Sequence, residues 1–141
     1  MIVLIVEDEP FTAMALEMEL ESGGHEVLGP AASVDEAAAL LEVRLPDAAL
    51  LDINLQGGGD AVMLARGLMQ RGIPALFTSG QVAVARANSD AACGLIAKPY
   101  DPQTVMQSLS VLRELAAGRR PSALPRRLEL FEGNRFNPAG K

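Results

Sequence analysis

Apolar residues come in short bursts along this chain, and most bursts end on a small cluster of acids, hydroxyls or glycines. Ile2 to Val6 is a β-branched run that stops at Glu7, Asp8 and Glu9, as a buried strand does on reaching the edge of a sheet. Pro10 suits a first helical turn. Phe11, Met14, Ala15 and Met18 then recur at i, i+3, i+4 and i+7, a core-facing spacing that predicts a helix running to Gly23 and Gly24. Val27 and Leu28 open a second strand that Gly29 and Pro30 interrupt, and since proline is tolerated mainly at a sheet margin, this strand is expected at an edge.

The same alternation continues. Ser33 with Glu36 forms a capping box for an alanine-rich helix ending near Arg44, and Ala48 to Ile53 is a third strand, apolar except for Asp52. A loop at Gly57, Gly58 and Gly59 leads to a helix carrying Val62, Leu64, Ala65 and Leu68. The fourth strand is expected over Ala75 to Thr78, a weakly patterned helix over Val82 to Asn88, and the fifth strand over Gly94 to Ala97. Asp101 as cap and Pro102 at the first turn open a last helix, with Val105, Met106, Leu109 and Leu112 on one side.

Five strands alternating with five helices predict an α/β fold, a doubly wound five-stranded parallel sheet of order 2-1-3-4-5, which puts the proline-bearing second strand at an edge. The 141 residues suit one domain, expected over 1–118, followed by a basic, proline-containing tail over 119–141 expected to be mobile. No apolar stretch approaches the roughly 20 residues that span a bilayer, so neither membrane insertion nor a signal peptide is expected. The single cysteine, Cys93, reads as a small buried thiol and suits a reducing cytoplasm, and His25, after Gly24, reads as a surface residue. The six methionines are read as core packing. Six basic against two acidic residues make the tail +4; with a total of −6, residues 1–118 carry −10, a charge that repels nucleic acid.

That acidity is concentrated where strands end. Glu7 and Asp8 follow the first strand, Asp52 lies at the end of the third, Ser79 after the fourth and Lys98 after the fifth, and in a doubly wound sheet those positions converge. Crowded carboxylates repel unless a cation neutralises them. Hard oxygen ligands favour Mg²⁺, which binds one or two carboxylates together with phosphate oxygens. Mg²⁺ and Lys98 could neutralise a phosphoryl group in transfer, with Asp52 as carboxylate nucleophile.

The acidic pair Glu7-Asp8, the run Leu-Leu-Asp-Ile-Asn ending at Asn54, the Thr-Ser-Gly of Thr78 to Gly80, and Lys98-Pro99 together resemble the receiver domain of two-component response regulators, over about residues 1–117. The resemblance implies Asp52 as phosphoacceptor and a metal site of Glu7, Asp8, Asp52 and the backbone carbonyl of Asn54. It further implies Ser79 as the hydroxyl that moves to the phosphoryl group, Thr78 competing for that role, Lys98 as its ion-pair partner, and a cis bond before Pro99. As partners it implies a sensor histidine kinase or a histidine phosphotransfer protein and a downstream target protein. The expected protein is a cytoplasmic, single-domain signalling phosphoacceptor, not an enzyme. Leu95 stands where many receivers carry an aromatic switch residue, and the segment Pro-Ala-Leu-Phe-Thr-Ser-Gly (74–80) resembles an alphaproteobacterial single-domain subgroup with a Phe-Ala-Thr-Gly-Tyr-like motif.

Other functions fit less well. A phosphatase of the haloacid dehalogenase type needs an acid two residues after its nucleophilic aspartate, where this chain has Asn54. A flavodoxin-like cofactor site needs a first loop that welcomes phosphate, which Glu7-Asp8-Glu9 repel, and the triple glycine lacks the Lys-Ser/Thr of a P-loop. The remaining alternative is a receiver-like interaction module that works without phosphorylation.

Overall fold

The computed structural model describes residues 1–55 and 60–132; the triple-glycine loop at 57–59 and the end of the tail lie outside them. In chain order the elements are β1 (Ile2–Val6), α1 (Pro10–Ser22), β2 (Glu26–Ala31), α2 (Val34–Val43), β3 (Ala48–Asp52), α3 (Ala61–Gln70), β4 (Ala75–Ser79), α4 (Val82–Ala87), β5 (Gly94–Ala97), α5 (Pro102–Ala116) and β6 (Leu128–Leu130). The sheet order is β2-β1-β3-β4-β5-β6. The first five strands are parallel, as expected. Their central members β1, β3 and β4 are almost wholly buried, because helices cover both faces. One apolar cluster gathers Ala37, Ala65, Leu68 and Ala85 from α2, α3 and α4; the other gathers Leu16 and Leu20 from α1 with Val105, Leu109 and Leu112 from α5.

β2 is the edge strand anticipated from Pro30, and it continues through Gly29-Pro30 instead of stopping there. The register slips between Leu4 and Val6 of β1 to absorb the irregularity. Gly29 has φ +99, and a Cβ on it would lie 2.7 Å from the amide nitrogen of Ala31, so the strand can bend here only with glycine. The helix starts also follow the sequence. Pro10 and Pro102 occupy first turns, while Ser33 and Asp101 accept from the N–H groups of Glu36 and Thr104. Glu9 also caps α1, through the amides of Phe11 and Thr12.

Four expectations change. The α1 stripe is reversed: Ala13, Leu16 and Leu20 face the core, whereas Phe11, Met14 and Met18 are 76%, 50% and 66% exposed. Both stripes are apolar, and the inner one joins Leu16 and Leu20 to Val3 and Ile5 of β1 and to the buried face of α5 in one cluster. Met63 is likewise exposed, so the methionines are divided between core and surface. The sheet has a sixth strand where a mobile tail was expected: Leu128–Leu130 lies antiparallel to β5, with Leu128 and Phe131 buried. Without it β5 would present an unpaired edge. Gly94 permits the approach, since a Cβ there would lie 2.1 Å from the Glu129 carbonyl oxygen. Finally, His25 is half-buried, with the amino terminus of Met1 3.2 Å from Nδ1.

Candidate functional site

Strand register builds the site. Val6 pairs with Leu51, and Asp52 with Thr78, while Thr78 pairs with Ile96 and Ser79 with Ala97. Glu7 therefore comes level with Asp52, while Ser79 and Lys98 follow one and two residues further along β4 and β5, so all four polar groups gather at the carboxyl ends of the strands. Glu7 and Asp52 are buried, at 4% and 6% exposure. Asp8 is half-buried at the mouth. One carboxylate oxygen from each of Glu7, Asp8 and Asp52 lies within 4.8 Å of the others.

Lys98 enters this acid group from β5. Its Nζ donates to Glu7 Oε1 at 2.9 Å and to Asp52 Oδ2 at 3.2 Å. The second oxygen of Asp52, Oδ1, accepts from the backbone N–H of Asn54 at 2.9 Å. The peptide bond between Lys98 and Pro99 is cis, as the resemblance implied. Burial raises the pKa of Glu7 and outweighs the opposing hydrogen bond from Lys98, with Asp52 adding a further upward push. For Lys98 burial acts downward, but the hydrogen bond and charge of Glu7, helped by Asp52, raise its pKa above the ordinary lysine value. One ammonium thus faces three carboxylates. The donor set is hard, anionic and tightly grouped, which fits a small divalent cation such as Mg²⁺ and does not suit a soft metal.

Both candidate hydroxyls are buried, but they differ in surroundings. Ser79 Oγ lies 3.5 Å from Asn54 Nδ2 and exchanges hydrogen bonds with Gln81, donating to its carbonyl at 3.0 Å and accepting from its N–H at 2.8 Å. Its carbonyl accepts from Lys98 N–H at 2.8 Å, joining β4 to β5 just at the site. Thr78 takes part in the ladder beside Asp52. Leu95 is buried within β5, in one apolar cluster with Phe77, Ala85 and Phe131.

Two residues escaped the sequence reading. Gln81 carries no catalytic chemistry, yet its backbone holds the Ser79 hydroxyl, a role visible only once the turn after β4 is formed. Tyr100, next to the cis proline, has a buried hydroxyl without a hydrogen-bond partner among the described residues, and burial pushes its pKa up to about 12. The charges of Lys98, Glu7 and Asp52 act on it as well. Its place two residues after Lys98 was the available signal.

Comparison with known proteins bears on the family and the fold. Residues 3–110 match the response regulator receiver domain family. The phyllosphere-induced regulator PhyR of Methylorubrum extorquens is 33% identical over 111 residues, which cover 77% of this chain and 42% of that protein, so the chain spans about two fifths of that relative's length. A response regulator structure from Chloroflexus aurantiacus is 31% identical with a TM-score of 0.71, covering 79% of this chain and 95% of that one. The signal receiver domain of a modulated diguanylate cyclase from Desulfovibrio desulfuricans is 33% identical with a TM-score of 0.70, covering 79% and 91%. PhyR of Bartonella quintana, described as an anti-anti-sigma factor, is 27% identical with a TM-score of 0.68, covering 83% and 50%. With its parallel sheet, its acid group and its match over three quarters of the sequence, the chain belongs to the response regulator receiver domain family.

Proposed function

We propose that the chain is a Mg²⁺-dependent phosphorylation switch in which Asp52 accepts a phosphoryl group. The observation that carries this reading is Lys98 Nζ bridging Glu7 and Asp52 beside the carboxylate of Asp8. Glu7, Asp8, Asp52 and the backbone carbonyl of Asn54 would hold Mg²⁺, which when bound supplies positive charge to the phosphoryl oxygens during transfer. Asp52 is the nucleophile. Its carboxylate forms a bond to phosphorus as the bond from phosphorus to a donor imidazole nitrogen breaks, and the imidazole leaves neutral, its other nitrogen carrying a proton taken from solvent. Lys98 stays with the new negative charge, and the Ser79 hydroxyl donates to a phosphoryl oxygen after leaving the carbonyl of Gln81.

The donor is a sensor histidine kinase or a histidine phosphotransfer protein, and the phosphorylated chain acts in the cytoplasm by binding a downstream protein. The outward face of α1 supports a protein donor. Phe11, Met14, Ala15 and Met18 form an exposed apolar stripe on the helix that follows Glu7 and Asp8, next to where a donor must deliver its phosphoryl group.

Incubation of the full chain with Mg²⁺ and acetyl phosphate, followed by intact mass measurement, tests the assignment. The wild type should gain one phosphoryl group, and Asp52→Asn should gain none. Labelling of Asp52→Asn at the wild-type rate would sink the acceptor assignment, and failure of the wild type to label would favour an interaction module without phosphorylation.

A further inference from the structure

Helix α4 is poorly anchored by its own sequence. It is six residues long, its N-cap Gln81 makes no side-chain capping bond, and only Ala85 is buried. Two contacts from outside hold its ends. At the start, the backbone of Gln81 is tied to the Ser79 hydroxyl. At the end, Arg86 makes a forked pair with Glu129 of β6, Nε at 2.9 Å and Nη2 at 2.6 Å from its carboxylate oxygens.

β6 in turn is fixed to the strand that carries Lys98. The N–H of Ala97 donates to the carbonyl of Arg127 at 3.0 Å, and the N–H of Phe131 donates to the carbonyl of Cys93 at 2.9 Å. Phe131 also shares the apolar cluster of Ala85 and Leu95. The strand itself has three residues, and Arg127 ahead of it is held at φ +71, in a region that a non-glycine residue seldom occupies. A short edge element that begins from a strained residue opens at low cost.

We propose that β6 is a displaceable clamp: it holds α4 in the arrangement of the unloaded site, and filling the acceptor site releases it. The inference rests on Asp52 being the acceptor. Its direction follows from Ser79. This hydroxyl is engaged with the backbone of Gln81, so turning it toward a phosphoryl group removes the anchor at the start of α4. A shift of the helix then works against the Arg86 fork, which must stretch, let go of Glu129 or carry β6 with it. Movement of Lys98 adds to this, since the neighbouring Ala97 bears a β6 hydrogen bond. The clamp therefore favours the empty site, and loading uncovers the backbone edge of β5 together with the Arg86 guanidinium. Because binding energies are reciprocal, weakening the clamp must strengthen binding at the acceptor site by the same factor that loading weakens the clamp.

The experiment uses the full chain with Mg²⁺ and beryllofluoride. In the wild type the mimic should speed amide exchange over residues 125–132 as well as altering 80–100. Glu129→Gln should bind beryllofluoride roughly twofold to fivefold more tightly, the range set by loss of one exposed ion pair. The exchanged pair Arg86→Glu with Glu129→Arg should return close to wild type. Gly94→Ala, whose methyl group collides with the Glu129 carbonyl, should displace β6 by a separate route and tighten binding at least as much. If the mimic alters residues 80–100 but not 125–132, or if the variants lose stability without a gain in affinity, β6 is only an edge cover and the clamp is wrong. If beryllofluoride neither binds nor changes exchange at 80–100, the acceptor reading fails and the clamp falls with it.

Discussion

The two helices that flank β5 on opposite faces of the sheet are built to different standards. α5 has 15 residues, an Asp101 cap and six buried positions including Val105, Leu109 and Leu112, and Ser108 is tied back to the Thr104 carbonyl at 2.7 Å. α4 has six residues, no side-chain cap and one buried position. A helix of six residues is far below the length that holds in water by itself, so α4 persists only through what touches it. Lys98 extends from the strand between the two. On the proposed switch, a change at its ammonium works against a firm helix on one side and a weakly held one on the other, and displacement is expected in the weaker. On that proposal, burial and capping make α5 part of the frame, and α4, held through Ser79 and Glu129, is the part that moves.

Truncations should show the contrast at its largest. Leu109→Ala removes a fully buried side chain from α5 and should cost about 2–5 kcal/mol in urea denaturation, through lost transfer energy and the cavity left behind. Ala85→Gly, the most damaging small change available in α4, should cost about 1–2 kcal/mol, from backbone freedom and one buried methyl group. Equal losses would place α4 in the frame.

Capping gives a finer test. Asp101→Ala should cost about 1 kcal/mol, because the Thr104 N–H loses its side-chain acceptor and keeps only the more distant Asp101 carbonyl. Gln81→Ala should stay within about 0.5 kcal/mol, since the side chain caps nothing and the bonds to Ser79 come from the backbone. Exchange over 82–88 should be unaltered by Gln81→Ala. A cost for Gln81→Ala matching that of Asp101→Ala would mean that the side chain supports α4 after all.

The same contrast governs what could be read beforehand. α5 was legible because a proline, a cap and one apolar stripe agree, and the strand ends bearing Glu7, Asp52, Ser79 and Lys98 were legible because apolar runs stop abruptly at polar groups. The inward face of α1 was not. Its alternative stripes, Phe11-Met14-Met18 and Ala13-Leu16-Leu20, are both apolar, and periodicity does not choose between them. β6 was hidden for a different reason. A three-residue strand has no pattern of its own, and its place depends on Gly94 leaving room for the Glu129 carbonyl, a contact across 35 residues of sequence. The hold of Gln81 on Ser79 is made by the backbone and leaves no trace in residue type.

The smallest expected effect concerns the charge that the frame and the moving part share at the end of β5. Burial holds the Glu7 pKa above its ordinary value of 4.5 in spite of Lys98. Well below 4.5 the carboxyl is protonated in both the folded and unfolded chain, and it does not affect stability. As pH rises through the raised folded value, the unfolded chain gives up its proton more readily, so ionisation of Glu7 works against folding and the loss levels off above that value. Glu7→Gln lacks this penalty and keeps the neighbouring contact of Lys98 with Asp52. The variant should therefore be more stable than wild type at neutral pH, by a margin that shrinks as pH falls toward 4.5 and below, seen as a shift in the urea midpoint without a change in slope. Exchange in α4 and α5 should be alike in the two proteins, because the burial of Glu7 lies at the strand ends and involves neither helix. A margin that grows on acidification would mean that the Lys98 ion pair outweighs burial, and Glu7 would then stabilise the empty site instead of priming it for a cation.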